Sequence, residues 1–114
     1  MQLTDIIQQL NLNLLTQTKD FSTVQVKVGY CSDLLSCVMT GAEPDSLWIT
    51  LMAHSNIVAV AALLDLSAII ITENAQPDKD TIQKANDKGV TILSTSKSNF
   101  RIIGELWELG LRAK

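Results

Sequence analysis

LWITLMAHSNIVAVAALLDLSAIIIT, residues 47–72, holds two short β-rich runs, LWITL and AIIIT, separated by a segment long enough for one helix. A third run, TILST, follows PDKDTIQKANDKG and leads into SNFRIIGELWELG, so strand and helix alternate three times. Thr50, Thr72 and Ser94 each close an apolar run, and they lie 22 residues apart. That interval is too long for a hairpin and fits one strand plus one crossover helix, which predicts parallel strands with right-handed connections.

A fourth unit precedes these three. VQVKVGY (24–30) alternates Val24, Val26 and Val28 with polar residues, and SDLLSCVM follows it, with Ser32 or Asp33 as an expected N-cap and Gly41 as a stop. Upstream, an opening helix over about residues 3–10 leads to LNLLT (12–16). The link from LNLLT to VQVKVGY is too short for a crossover helix, so these two runs are expected to pair antiparallel or to lie at an edge. The fold class is α/β: one three-layer domain over residues 1–114, with a mostly parallel sheet built from successive βα units.

Composition bounds the function. The chain has 114 residues, 46% of them hydrophobic, which suffices for one core without disulfide or metal staples. A net charge of −3, with nine scattered Lys and Arg, provides no basic stripe for nucleic acid. The apolar stretches 57–64 and 68–71 fall well short of the roughly 20 residues a membrane span needs, and MQLTDIIQQL is unlike a secretory signal, so a cytoplasmic location is expected. Cys31 and Cys37 form no CxxC pair and are expected to be buried free thiols.

The helices differ in character. Residues 78–88 read as an amphipathic surface helix, with Ile82 and Ala85 inward and an Asp80–Lys84 pair on water. Residues 57–64 have no polar face, and a helix apolar all round requires cover on every side, which points to a homodimer. The last helix carries Ile102, Ile103, Leu106, Trp107 and Leu109, a stripe wider than a core face. Gly104 within it suits either close approach of another backbone or plain tolerance.

In open parallel sheets, ligands collect beyond the carboxyl ends of the strands. That rim gathers Tyr30, Ser32 and Asp33 from one loop, Thr50, His54 and Asn56 from the next, Thr72 and Glu73 from a third, and Thr95 from the last. These nine are the candidate ligand-binding residues, suited to a polar or phosphorylated small molecule such as a nucleotide. The same residue types are also favoured as helix caps and turn formers, so both readings stand. His54, the sole histidine, fits a structural bond or a ligand contact, whereas its spacing from Cys31 and Cys37 does not suit a metal site. No phosphate-binding loop, dinucleotide fingerprint, nucleophile elbow or zinc-protease motif occurs, and neither catalytic residue nor cofactor is expected. The enzymatic alternative would pair Cys31 as nucleophile with His54 as base.

GYCSDLLSCVM, WITLMAHSNIVAVA, AIIITENAQPD and GVTILST, in this order, resemble a stand-alone DRTGG domain over nearly all the chain from about residue 24. Two departures stand out. Ala53 and His54 occupy the place of the family's Asp-Arg pair, and Thr72, Glu73 and Asn74 the place of its Thr-Gly-Gly. The resemblance implies a small α/β domain similar to the N-terminal domain of HPr kinase/phosphorylase. Such domains occur alone or attached to phosphotransacetylases, cobyrinic-acid-synthase-like proteins and CBS-containing pyrophosphatases. It further implies a regulatory or assembly module, often dimeric and without catalysis of its own. A protein-interaction module without a small ligand is the alternative function. Glu73 adds negative charge where glycines would let a backbone approach phosphate.

Overall fold

The computed structural model describes all residues from 1 to 114. In chain order the elements are α1 (Leu3–Gln9), β1 (Asn13–Leu14), a 3-10 turn (Phe21–Thr23), β2 (Val28–Cys31), α2 (Leu35–Gly41), β3 (Ser46–Thr50), α3 (Asn56–Leu64), β4 (Ala68–Ile71), α4 (Lys79–Lys88), β5 (Ile92–Ser94) and α5 (Asn99–Leu109). The sheet order is β1-β5-β4-β3-β2. β2 to β5 run parallel, and β1 alone is antiparallel, on β5.

Strand alternation divides the core in two. Leu47, Ile49, Ala68, Ile70 and Leu93 face α1 and α5, where they meet Leu3, Ile6, Ile102 and Leu106. Trp48, Ile69, Ile71 and Ile92 face the other way, against Val38 of α2, Ile57, Val58 and Ala61 of α3, and Ala85 of α4. Strands buried on both faces read as continuous apolar runs, as AIIIT does. The three layers expected from the βα pattern are therefore present.

The differences have local causes. Only Val28, Gly29 and Tyr30 of the VQVKVGY run enter the sheet, in a strand that ends on Cys31; Val24 and Val26 instead bond to the N-terminal segment, with Leu3 N–H donating to the Val24 carbonyl and Val26 N–H to that of Met1. LNLLT and VQVKVGY lie at opposite edges of the sheet, so the link between them crosses its whole width. Neither Ser32 nor Asp33 is the N-cap of α2, which begins after Leu34. Gly41 is the last helical residue and no left-handed stop; a Cβ there would lie 2.5 Å from the Tyr30 hydroxyl oxygen. Left-handed stops close α4 at Gly89, α5 at Gly110 and also α3, where Asp65 (φ 55°) donates its N–H to the Ala61 and Ala62 carbonyls.

On α4 the inward residues are Thr81 and Ala85, with Ile82 half-buried, and Asp80 and Lys84 form no ion pair. Both cysteines are exposed rather than buried, because Cys31 ends an edge strand and Cys37 lies on the outer side of α2. The chain itself covers Ile57, Val58 and Ala61 of α3 but leaves Leu63 67% exposed. No helix is long and apolar enough to cross a membrane.

Candidate functional site

Because β2, β3, β4 and β5 run in one direction, their four outgoing loops meet at one rim, and all nine candidate residues lie in or beside those loops. Asp33 is the hub of its first half. Its carboxylate oxygen Oδ1 accepts from Thr50 Oγ1 at 2.7 Å and from Leu51 N–H at 2.8 Å, and Thr50 Oγ1 in turn accepts from Met52 N–H at 3.1 Å. The loop after β2 is thereby tied to the loop after β3. Ser32 contributes twice: its hydroxyl accepts from Leu34 N–H, and its carbonyl accepts from Nε1 of the fully buried Trp48 at 3.0 Å. Tyr30, half-buried against the α2 side of the core, donates to the Cys37 carbonyl at 2.9 Å.

The second half of the rim lies between β4 and β5. After β4 the chain turns to α4 on one face of the sheet, and after β5 to α5 on the other, so the two loops part at this point. The point where outgoing connections diverge to opposite faces is the usual ligand position in open α/β sheets. Here the two loops are bridged to each other. Glu73 N–H donates to the Lys97 carbonyl at 2.9 Å, and Asn74 N–H to the Thr95 carbonyl at 3.1 Å. The Thr72 hydroxyl sits against Asn99 Oδ1 and the Thr50 carbonyl, and Thr95 Oγ1 accepts from Lys97 N–H at 3.2 Å.

Glu73 also closes the start of α5. Its Oε2 accepts from the Asn99 N–H at 3.2 Å, while Ser98 Oγ accepts from Arg101 N–H at 3.1 Å, so two of the helix's orphan donors are satisfied from two sources. The Glu73 carboxylate thus occupies a position an anion would take at a helix N-terminus. Both Glu73 (φ 58°) and Asn74 (φ 60°) are left-handed, a conformation that disfavours side chains other than those of Asn and Asp.

His54 closes the loop before α3. Its Nδ1 accepts from Asn56 N–H at 3.2 Å and its carbonyl from Ile57 N–H, so the ring does the capping that the Ser55 side chain does not. Asn56 is exposed. Cys31 sits at the mouth of an apolar cavity, where desolvation, reinforced by the Asp33 charge, pushes its thiol up from the ordinary value. A raised thiol is a poor nucleophile at neutral pH. No group of three His, Cys, Asp or Glu side chains is placed to hold a metal ion.

That cavity, of about 180 Å³, lies away from the β4 and β5 loops, between the β2 edge and α5. Gly29, Tyr30, Ile49, Ile103, Trp107 and Leu111 are among its walls, and the Arg112 guanidinium stacks 4.3 Å from the Trp107 ring centre. Of the nine candidates only Tyr30 touches it. The sequence signal for it is the second apolar row on α5, which includes Ile103 and Trp107.

Comparison with known proteins identifies the architecture. The family model described as "DRTGG domain" matches residues 5–108. The chain belongs to the DRTGG domain family. Among solved structures, the CBS and DRTGG domains of the regulatory region of a Clostridium perfringens pyrophosphatase, complexed with the activator diadenosine tetraphosphate, superimpose with a TM-score of 0.74 at 17% identity. The match covers 92% of this chain and 45% of that one, so the present chain spans less than half of its neighbour's length. No curated protein matches.

In this DRTGG domain the two departures from the family pattern fall in the loops after β3 and β4. Glu73 and Asn74, in the place of the two glycines, hold left-handed angles that glycine adopts freely. Ala53 and His54, in the place of the Asp-Arg pair, form the turn into α3, and there the histidine ring serves the chain's own backbone.

Proposed function

We propose that this DRTGG domain is a non-catalytic, homodimeric, cytoplasmic regulatory domain that binds a small polar or phosphorylated ligand, a nucleotide or phosphorylated metabolite, at the carboxyl rim. The contacts come from Tyr30, Ser32, Asp33, Thr50, His54, Asn56, Thr72, Glu73 and Thr95. The observation that carries this reading is the parting of the β4 and β5 loops to opposite faces, the topological position at which open α/β sheets take ligands. The raised Cys31 thiol supports the non-catalytic part, since it leaves the enzymatic alternative without an activated nucleophile.

Eight of the nine side chains already hold a bond within the chain, all but that of Asn56. A ligand at the rim therefore exchanges these bonds for its own, and those of His54 and Glu73 at the starts of α3 and α5 couple binding to the two helices, which suits a regulatory part. The charges also constrain the ligand. Asp33 and Glu73 face it with carboxylates, while Lys97 is held by Glu105 at 2.9 Å, so hydroxyl and amino groups are favoured toward Asp33 and Glu73. Thermal unfolding with AMP, ATP and inorganic phosphate, on wild type and His54→Ala, tests the reading. A concentration-dependent rise in Tm, reduced by the substitution, is expected from mass action; unchanged Tm with every probe refutes ligand binding. In that event the alternative, a protein-interaction module, takes over. It has its own support in Phe100, 90% exposed, and Trp107, 52% exposed, on the outer side of α5.

A further inference from the structure

A homodimer needs a self-complementary surface, and α5 has one. Its inner side buries Ile102 and Leu106. Phe100, Ile103, Gly104 and Trp107 follow at i, i+3, i+4 and i+7, so they form a second apolar row, on the side turned to solvent. Nothing lies within 4 Å of where a Gly104 Cβ would be, so packing within the chain does not require the glycine. The row is symmetric about the midpoint between residues 103 and 104. An antiparallel second copy accordingly sets Phe100 level with Trp107, and Ile103 level with Gly104, where the missing side chain lets the helices close up.

Two further features favour this partner. The cavity of about 180 Å³ opens beside Ile103 and Trp107, and an apolar cavity of about 150 Å³ is known to accept a benzene ring, so a phenyl group fits. Charges along one flank of the row are complementary as well: the antiparallel register brings Arg101 of each copy between the levels of Glu105 and Glu108 of the other, and Glu108 forms no ion pair within the chain. We propose that two copies of this chain associate through antiparallel α5 helices, each placing Phe100 in the other's cavity against Trp107. The proposal rests on the homodimeric part of the reading above and is independent of the rim ligand.

Sedimentation velocity over a range of concentrations tests it, with Trp107 emission as a second readout because Trp48 is fully buried. Wild type is expected to dimerise with a blue shift of Trp107. Phe100→Glu should raise the dissociation constant at least a hundredfold without lowering the Tm of the monomer, and Leu63→Glu on α3 should leave association unchanged. In a Cys31→Ser, Cys37→Ser background, Phe100→Cys mixed with Trp107→Cys should form a disulfide between copies, and Phe100→Cys alone should not. Dimers that survive Phe100→Glu but are lost with Leu63→Glu would overturn the α5 interface and leave the homodimer standing. Efficient self-crosslinking of Phe100→Cys would overturn the antiparallel register. A wild type that is monomeric at every concentration would overturn both interface and homodimer, while the thermal test with AMP, ATP and phosphate would still decide the rim.

Discussion

Glu73 sits between two opposing effects of similar size, and a short substitution series separates them. Its left-handed backbone costs a non-glycine residue about 1 kcal/mol. Against this, its carboxylate accepts the Asn99 N–H at the start of α5, a capping bond worth about 1 kcal/mol by analogy with other caps. Glu73→Ala keeps the backbone cost and loses the bond, so it should destabilise the domain by about 1 kcal/mol. Glu73→Gly loses the bond and relieves the backbone, so it should lie within a few tenths of wild type. For a chain of 114 residues the unfolding entropy is about 0.24 kcal/mol/K, and 1 kcal/mol corresponds to a shift of about 4 °C in Tm. Urea unfolding with a common m-value, together with scanning calorimetry, reads the difference. Equal destabilisation by alanine and glycine would refute the claim that left-handed geometry costs anything here. The same pair bears on ligand choice: Glu73→Gly vacates the N-terminus of α5 and should bind inorganic phosphate or ATP more tightly than wild type in a thermal-shift titration.

Gly41→Ala would set a Cβ 2.5 Å from the Tyr30 hydroxyl oxygen, forcing the ring away and breaking its bond to the Cys37 carbonyl; a loss of about 1–3 kcal/mol in urea unfolding is expected, with Tyr30→Phe costing about 1 kcal/mol. Gly29→Ala meets only Leu111 closely, at 3.3 Å, and Leu111 borders the cavity and has room to move, so stability should hold or rise by about 0.5 kcal/mol; a clear loss in the same assay would show that the cavity wall is rigid. Asp78 caps α4, and its bond from Thr81 N–H holds its carboxyl below the ordinary value of 3.8. Its contribution is therefore complete above that value and lost as pH falls below it, so acid unfolding followed by circular dichroism should be less steep in Asp78→Asn.

The legible parts of this fold were those where period and burial agree. Ala68–Ile71 and Leu47–Ile49, apolar without interruption, could be covered only on both faces, and the 22-residue interval left room for one helix each, so sheet direction and rim followed from spacing. The ends of the chain were less legible. The alternation of Val24, Val26 and Val28 is equally good for one long strand and for the observed split, because what captures Val24 and Val26 is the N-terminal segment, distant in sequence. The thiols misled for a similar reason. Cysteine is commonly buried, but Cys31 lies at an edge that only the sheet order reveals. At the rim, residue type alone could not separate capping from ligand contact; Glu73 and His54 bond backbone N–H groups at the starts of α5 and α3, while Asp33 ties the β2 loop to Leu51 in the β3 loop.

The cavity and the exposed row on α5 share one origin in the winding of the sheet. β2, β3, β4 and β5 are neighbours in chain order, so the right-handed crossovers α2, α3 and α4 all fall on one face. The opposite face is left to α1 and α5. Five strands about 4.8 Å apart make a face about 19 Å wide, which two helices of roughly 10 Å diameter only just span. With α1 packed on the 3-10 turn and α5 lying over β3, the β2 edge has no helix above it, and residues after α5 run there instead, clipped by the Gly29 N–H to the Arg112 carbonyl at 2.9 Å. An extended segment fills less volume than a helix, so Gly29, Ile49 and Trp107 are left bordering open space. A third apolar element on that face would complete the layer. The outer row of α5, symmetric and next to the gap, is placed so that a second copy of the same helix supplies it.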